Sequence, residues 1–405
     1  MTVDVPGVPL HIAEGITERL SQVRSSILTL SHALHADPEL GGQEERAVRR
    51  VRELLLAEGF TLDAEQPTAS TALSARSGDG GLTAALCVEY DALPGIGHAC
   101  GHNVNAAAAV GAALALAVVA EPLGLTVKVL GTPAEETTGG KVDLLEEGFF
   151  DDVSFAMMAH AAAVDAVGGT SLAMSQWDVL YRGRPAHAAT APFDGVNALD
   201  AITVAQTAIG LARQQLPPGV VVSLIAVEGG SATNVIPDRA RLEIEVRAPD
   251  AATLRAVESR VHGCLAAGQC ATGAELTVSR TGNAFADLRQ DQFLSGAYRN
   301  AMRSRGRTVA VTTDAIASTD MGNVSHVVPA IHPLLGYDVH GAAHHTAAFA
   351  EHGASDSADR AVLDGAFGLA MAAAAAALDP IQRGRLTSNG GQVTPGRGRS
   401  RSAGR

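Results

Sequence analysis

Two acidic residues, a thiol and an imidazole follow one hydrophobic run of the sequence. The run is Leu82 to Val88, and Glu89, Asp91, Cys100 and His102 come after it. A strand that ends in such a loop and leads into a helix is typical of a ligand site at the carboxyl edge of an α/β sheet. Thiolate and imidazole together favour a metal such as zinc. The alternative is that Cys100 is a small buried hydrophobic residue and the histidine is a packed one.

Two more strand-like runs end in residues of the same chemical types. Residues 125–130 lead to Glu135 and Glu136, and residues 153–158 lead to His160. Parallel strands share one polarity, so we expect these side chains to meet Cys100 and His102 at one edge of the sheet. Adjacent carboxylates can divide the work, one binding metal and the other moving protons. The same pair could also be a solvated loop.

The elements that must position these residues alternate between strand and helix. From Thr71 to Ala159, strand-like runs alternate with helical segments at 104–120 and 139–148, after a helical N-terminal region at 11–60. Such alternation predicts an α/β fold with a mostly parallel central sheet flanked by helices.

A second unit interrupts this pattern. From about residue 175 to 284 the order of predicted elements is β-α-β-β-α-β, which indicates a ferredoxin-like α+β module. Its alanine-rich helices favour a lid that also forms a homodimer. The predicted division is a catalytic domain at 1–174 and 286–380, the inserted lid at 175–285, and a disordered basic tail at 381–405.

Composition narrows the classes of function. The 405 residues include 46% hydrophobic and 18% charged residues, which is typical of a soluble globular protein. Lys and Arg number 30 against 43 Asp and Glu, so we expect no nucleic-acid partner. The four scattered cysteines indicate a reducing compartment, and no signal peptide or membrane span is evident. We therefore expect a cytoplasmic protein.

Seven segments, in order, resemble the signatures of a known enzyme family. They are EYDALPGIGHACGHN, GTPAEETTGGK, MMAH, GRPAHAATAPFDGVNALDA, TNVIPDRA, STDMGNVS and HHTAAF. They are similar to those of the dinuclear metallopeptidase and amidohydrolase family that contains aminoacylases, glutamate carboxypeptidases, hippurate hydrolases and indole-acetyl-amino-acid hydrolases. The Cys-Gly-His-Asn variant is most similar to aminobenzoyl-glutamate hydrolase subunits and β-alanyl-lysine dipeptidases.

The resemblance implies a role for each matching residue. It implies two divalent metal ions, with zinc favoured over manganese or cobalt, and Glu135 as general base. Asp91 would orient a ligand, His187 of the lid would reach the active site of a partner subunit, and Asn234 and Arg247 would contact substrate. The implied metal ligands are Cys100, His102, Glu136, His160 and His345, with His344 as the rival to His345.

The family implies a reaction and leaves alternatives. We expect hydrolysis of the C–N amide bond of an N-acyl amino acid, an aminobenzoyl-glutamate-like conjugate or a dipeptide. One alternative is a catalytically weak or scaffold subunit of a hetero-oligomeric amidohydrolase, which would need the metal ligands but not Glu135. Another is an N-acyl metabolite deacylase of a biosynthetic pathway. His326, His332 and His340 receive no role.

Overall fold

The computed structural model describes residues 5–315 and 317–389. Two units share the chain: a lid, residues 173–280, and a body made of the other described residues. The helices are α1 Leu10–Ala36, α2 Glu45–Ala57, α3 His102–Ala117, α4 Ala120–Leu123, α5 Gly140–Glu146, α6 Ala198–Ala212, α7 Ala251–Thr272, α8 Gln292–Ser304, α9 Met321–Ser325, α10 Ala347–Ala350, α11 Asp356–Leu378 and α12 Pro380–Asn389. The strands are β1 Thr61–Leu62, β2 Leu73–Ser77, β3 Leu82–Val88, β4 Leu125–Gly131, β5 Phe155–Met157, β6 His160–Ala162, β7 Ala166–Val167, β8 Ala173–Arg182, β9 Val221–Glu228, β10 Arg239–Ala248, β11 Glu275–Arg280, β12 Ala310–Val311, β13 Ala330–Ile331 and β14 Leu334–Gly336.

The body is built on a six-stranded sheet with the order β1-β2-β4-β3-β5-β13. Strands β4, β3, β5 and β13 run parallel, whereas β2 is antiparallel to both β4 and β1. Every residue of β3 and β4 is buried, as expected for strands covered on both faces. A smaller sheet, β12-β7-β14-β6, lies beside it. The predicted mostly parallel α/β arrangement is confirmed.

Small side chains let the central helices of the body pack closely. Helix α3 and most of α11 are buried. A Cβ atom added at Gly111 of α3 would come within 2.9 Å of the Ala366 Cβ of α11. Helix α11 is the one helix in the described part of the chain that is long and apolar enough to cross a membrane. Because it is buried among α1, α3 and α8, it is a core helix of the body.

The lid has the predicted ferredoxin-like fold. Its order along the chain is β8-α6-β9-β10-α7-β11, and its antiparallel sheet has the order β11-β8-β10-β9. Alternate residues of β10 are buried under α6 and α7, which leaves the other face of the sheet accessible. Side chains of Asn197 and Asp250 cap the N-termini of α6 and α7.

The predicted disordered tail needs a correction at its start. Residues 381–389 belong to helix α12, whereas residues 390–405 lie outside the described part of the chain. Leu386 of this helix is fully buried. The guanidinium of Arg383 donates hydrogen bonds to the carbonyl oxygens of Leu123, Gly124 and Ala377. The basic composition suggested solvation, but these acceptors fix the arginine against the body.

Candidate active site

Four adjacent parallel strands deliver the candidate functional residues to one edge of the body sheet. Strand β3 leads to Glu89 and Asp91, and β4 leads to the loop that carries Glu135 and Glu136. Their neighbours β5 and β13 are followed by His160 and His332. The carboxyl ends of parallel strands share one edge, so this topology explains why residues so distant in sequence converge.

The loop after β3 turns sharply before α3 begins at His102. Gly101 has a φ of +75°, and a Cβ atom there would lie 2.3 Å from the Ala161 Cβ. Only glycine combines this left-handed conformation with so close an approach. The turn places His102 at the first position of α3, with its ring fully buried.

Asp91 connects the loops after β3 and β4. Its Oδ1 lies 2.9 Å from His102 Nδ1, and its Oδ2 accepts a hydrogen bond of 2.9 Å from the Glu136 backbone N–H. The Asp91 contact occupies Nδ1, so Nε2 of His102 is free to face the site. Burial disfavours a charged His102, but the Asp91 carboxylate outweighs it and raises the pKa of the imidazole well above its usual range.

All five predicted ligands belong to overlapping groups with metal-binding geometry. In each group, one ligand atom per residue lies within 4.8 Å of the others. The groups in the described residues are Cys100–His102–His160, Cys100–Glu136–His345, His102–Glu135–Glu136 and Glu89–Glu135–Asp320. Cys100 and His102 each occur in two groups, so the first three form one continuous set of sulfur, nitrogen and oxygen donors.

The donor set fits a pair of borderline-soft cations. Within the described residues, the buried atoms His102 Nε2 and Glu136 Oε1 have no hydrogen-bond partner, and they lie 3.8 Å apart. Buried polar atoms are normally paired, so these two point to a cation as their partner. Mixed thiolate, imidazole and carboxylate donors are those that zinc prefers.

The two adjacent histidines of HHTAAF have different surroundings. His345 Nε2 lies 3.4 Å from Cys100 Sγ and 3.5 Å from Glu136 Oε2. His344 Nε2 instead lies 2.9 Å from the Ala161 carbonyl oxygen. The geometry therefore favours His345 over His344 as the distal ligand.

Glu135 lies between the ligands and a buried charged cluster. A carboxylate oxygen of Glu135 lies within 4.8 Å of ligand atoms of His102 and Glu136. Glu135 also belongs to the group formed with Glu89 and Asp320. Burial, with the negative charges of Glu89 and Glu136 adding to it, raises the pKa of the Glu135 carboxyl well above its usual range. A carboxyl with this elevated proton affinity is suited to act as a general base.

Strained backbone accompanies two of these residues. Ala134, next to Glu135, has a φ of +59°, and His345 has a φ of +62°. The Ala134 N–H donates a 2.7 Å hydrogen bond to the buried Glu44 carboxylate, which helps hold this conformation. Left-handed conformations of residues other than glycine are costly and concentrate at functional sites.

Sequence reasoning gave no role to two residues that adjoin the site. His332 is buried, its ring centroid lies 5.2 Å from that of His160, and neither of its ring nitrogens has a hydrogen-bond partner among the described residues. Burial lowers the pKa of His332 to about 4. Lys141 is fully buried between Glu89 and Asp320. His332 could have been identified from its position directly after strand β13, because the same rule identified His160.

Among the described residues, no hydrogen bond, ion pair or candidate metal group links the predicted lid residues to this cluster. His187 and Asn234 lie on neighbouring lid loops, joined by the backbone bridge between His187 and Val235 and by the hydrogen bond from Ala188 N–H to the Asn234 carbonyl. Arg247 on β10 pairs with Glu245, and its Nη1 lies 3.5 Å from Ser318 Oγ of the body.

Comparisons with known proteins identify the family. Residues 174–269, most of the lid, match the M20 family model described as a peptidase dimerisation domain. The chain is 35% identical to a Xaa-Arg dipeptidase of Mus musculus, over 88% of this chain and 86% of that protein. The chain belongs to the M20 peptidase family. It is therefore a metal-dependent hydrolase of carbon–nitrogen amide bonds, as the resemblance of its motifs implied.

Other M20 relatives agree in sequence and fold. One of the p-aminobenzoyl-glutamate hydrolase subunits of Escherichia coli is 30% identical over 61% of this chain and 56% of that protein. A Bacillus subtilis structure, described as a dinuclear metal-binding peptidase of the M20 family, superposes with a TM-score of 0.67. It is 22% identical and covers 87% of this chain and 98% of that one, so it supports the fold.

Proposed function

We propose that this M20 protein is a homodimeric, dinuclear zinc dipeptidase that prefers a basic residue on the carboxyl side of the cleaved bond. The observation that carries this proposal is the convergence of five candidate ligands into linked groups whose atoms lie within 4.8 Å of one another. The ligands are Cys100, His102, Glu136, His160 and His345.

Two zinc ions held by these residues would supply Lewis-acid chemistry, lowering the pKa of a water molecule and polarising the amide carbonyl. The donor types support zinc over manganese, because a thiolate and several imidazoles suit the softer ion. Asp91 contacts Nδ1 of His102, which leaves Nε2 of the ring available as the atom that would bind a cation.

Glu135 is the general base of the proposed reaction. It accepts the proton of the attacking water and passes it to the leaving nitrogen. Its raised pKa supports this role, because a carboxyl with a higher proton affinity is a stronger base toward the attacking water. Glu136 beside it cannot accept and return this proton if it is a metal ligand.

The lid completes the site in a dimer. The family match to a peptidase dimerisation domain supports association through the lid. His187 and Asn234, on neighbouring lid loops, are then placed to contact substrate at the partner's site, with His187 stabilising the charge that develops on the carbonyl oxygen. Arg247, at the contact between lid and body, is a candidate for the substrate carboxylate. The lid elements span residues 173–280, close to the predicted domain at 175–285. We also propose that the protein acts in the cytoplasm.

Two observations support the proposed substrate preference: the similarity to relatives and the net charge of this chain. The Xaa-Arg dipeptidase matches over more of this chain than the p-aminobenzoyl-glutamate hydrolase subunit does. The formal net charge of −13 also attracts a cationic substrate and repels an anionic one. The second candidate, cleavage of an acyl-glutamate or another N-acyl amino acid, is supported by the E. coli relative.

A substrate panel tests this function. The purified full chain, loaded with zinc or with manganese, is assayed on dipeptides with C-terminal Arg, Lys, Ala or Glu, on aminobenzoyl-glutamate and on N-acetyl amino acids. We expect the highest kcat/KM on the dipeptides that end in Arg or Lys, with zinc bound.

Each other outcome selects an alternative. Higher kcat/KM on aminobenzoyl-glutamate or N-acetyl amino acids would replace the dipeptidase with an acyl-amino-acid hydrolase. An absence of turnover on the whole panel, with metal bound, would favour the scaffold subunit.

A further inference from the structure

Lys141 occupies the centre of a buried group of carboxylates. Its Nζ lies 2.5 Å from Glu89 Oε1 and 2.6 Å from Asp320 Oδ1, and its backbone N–H donates a 3.0 Å hydrogen bond to Asp320 Oδ2. All three side chains are fully buried. Asp320 thus holds Lys141 at both ends, which fixes the ammonium at one point.

Without the lysine, these carboxylates resemble a site for a divalent cation. Oxygens of Glu89, Asp320 and Glu135 all lie within 4.8 Å of one another. Three carboxylates at this separation are the donors that a divalent cation binds. The ammonium of Lys141 contacts two of the three and supplies positive charge to the group.

Glu135 belongs to both this carboxylate group and the group of candidate ligands. Its carboxylate lies within 4.8 Å of ligand atoms of His102 and Glu136 in one group, and of Glu89 and Asp320 in the other. A divalent cation among Glu89, Asp320 and Glu135 would take Glu135 as a ligand, and a carboxylate bound in this way no longer accepts a proton.

We propose that Lys141 is a positioning residue that excludes a misplaced metal ion from the carboxylate group and thereby keeps Glu135 available as the base. This inference depends on the proposed role of Glu135. A lysine is suited to the task because its charge is covalently attached and cannot be exchanged for zinc.

Glu89 also contacts the group of candidate metal ligands. While Oε1 contacts Lys141, Oε2 accepts a 3.2 Å hydrogen bond from Asn105 Nδ2 and lies 3.6 Å from His102 Nε2. The amide oxygen of Asn105 in turn accepts the N–H of Ala161, next to His160. A cation that drew Glu89 away from Asn105 would disturb contacts that reach two candidate ligands.

The test compares zinc binding by the full-length wild type, Lys141→Gln and Lys141→Arg. Gln has a similar length and no charge, whereas Arg keeps the charge and serves as the matched control. Bound zinc per chain is measured by elemental analysis after equilibrium dialysis at increasing free zinc, and hydrolysis of the best panel substrate is followed in the same samples.

We expect Lys141→Gln to bind one more zinc ion per chain than the wild type. Its activity should fall by about a hundredfold, the contribution of a general base, as that ion binds. Lowering free zinc until the stoichiometry matches the wild type should restore most of the activity. Lys141→Arg should retain the wild-type stoichiometry.

A wild-type zinc stoichiometry for Lys141→Gln across the titration would overturn the proposal, whatever its activity. If the variant is unstable, zinc must raise its Tm more than it raises the wild-type Tm, because a bound cation replaces the lost charge. Failure of zinc to do so would also overturn it. The stoichiometry can be read even if the wild type cleaves no panel substrate, so failure of the proposed function is detected separately.

Discussion

The body contains fully buried ion pairs, whereas the lid pair compared with them lies at the surface. In the body, Glu89, Lys141 and Asp320 form ion pairs that are fully buried. In the lid, the pair of Arg241 and Asp178 lies on the open face of the sheet, with side chains 30% and 32% exposed. Burying a charge costs free energy unless the charge is paired. The buried charges of the body therefore need their partners, whereas the exposed charges of the lid are solvated by water.

Backbone strain is divided in the same way. Every residue other than glycine that has a positive φ in the described part of the chain lies in the body: Ala134, Ala317, His340 and His345. In the lid, both long helices have side-chain N-caps and the positive φ angles belong to glycines. Two of these four residues, Ala134 and His345, lie in the candidate active site, where backbone strain is expected to concentrate.

The largest effect is expected for Glu135→Gln in the body. The amide cannot accept a proton, so kcat should fall by about 10²–10⁴-fold while zinc content is unchanged. Enzyme kinetics and elemental analysis on the same preparation measure both. Glu121→Gln, which removes an exposed carboxylate of α4, is the control and should behave as wild type. A Glu135→Gln enzyme with wild-type kcat would refute the base assignment.

The next effect tests whether the lid contributes to catalysis. Leu211 of α6 and Ile225 of β9 are 73% and 60% exposed in the single chain. If the lid forms the dimer, Leu211→Asp with Ile225→Asp should give monomers by light scattering. The loss of a partner's His187 should then lower kcat by about 10²–10³-fold.

The matched control for the dimer is Val118→Asp, which places the same charge on an exposed residue of the body. It should remain dimeric and active. Fully active monomers of the double variant would contradict the crossing of His187 between subunits.

Arginine-to-alanine substitutions compare the ion pairs of the two regions directly. Arg307 in the body contacts Asp165 at 2.8 Å and Asp364 at 3.1 Å, and these side chains are largely buried. Its removal leaves the buried Asp165 without a cationic partner, although Asp364 keeps Arg305. Arg307→Ala should therefore lower the free energy of unfolding by about 3–5 kcal/mol. Arg241→Ala in the lid should leave the urea midpoint unchanged. Equal losses would remove the contrast between body and lid.

The smallest effect concerns Glu44, which holds the loop of Glu135. Burial raises the pKa of Glu44 from 4.5 to about 7. The folded state therefore retains a proton that the unfolded chain releases, and stability from this group is present below pH 4.5 and lost as the pH rises through 7. Glu44→Gln is always neutral and keeps the acceptor for Ala134. It should exceed wild-type stability above pH 7 by about 1–3 kcal/mol, and by nothing near pH 4.

Urea unfolding at pH 4, 6 and 8 measures this difference. Glu45→Gln, at the exposed neighbouring position, should show no such pH-dependent gain. A gain of Glu44→Gln that is the same at all three pH values would contradict the raised pKa.

The sequence predicted the parts of the molecule that depend on periodicity and strand polarity. The buried run Leu82–Val88 is strand β3 with the same bounds, and the β-α-β-β-α-β order of the lid is the one observed. The meeting of Cys100, His102, Glu136 and His160 also followed from strand polarity. The rule that chemistry lies after a strand could have included His332, but the strand before it has only two residues and gave little signal.

Pairing between distant loops could not be predicted. Nothing in the sequence around Lys141 indicates that Glu89 and Asp320, 52 and 179 positions away, would bury it. The helix at 380–389 was missed for the same reason, because Arg383 is stabilised by carbonyls about 260 residues earlier. A role that depends on a second protomer, such as the one proposed for His187, requires contacts that a single chain does not contain.

The packing of α3 against α11 has a consequence for biosynthesis. Helix α3 emerges from the ribosome early, but its partner begins at Asp356, almost 240 residues later. At ordinary translation speeds that interval lasts on the order of tens of seconds. During this time the alanine and leucine side chains of α3 that pack against α11 remain uncovered. The nascent protein should therefore rely on chaperones that act at the ribosome, and premature termination before α11 should yield aggregates.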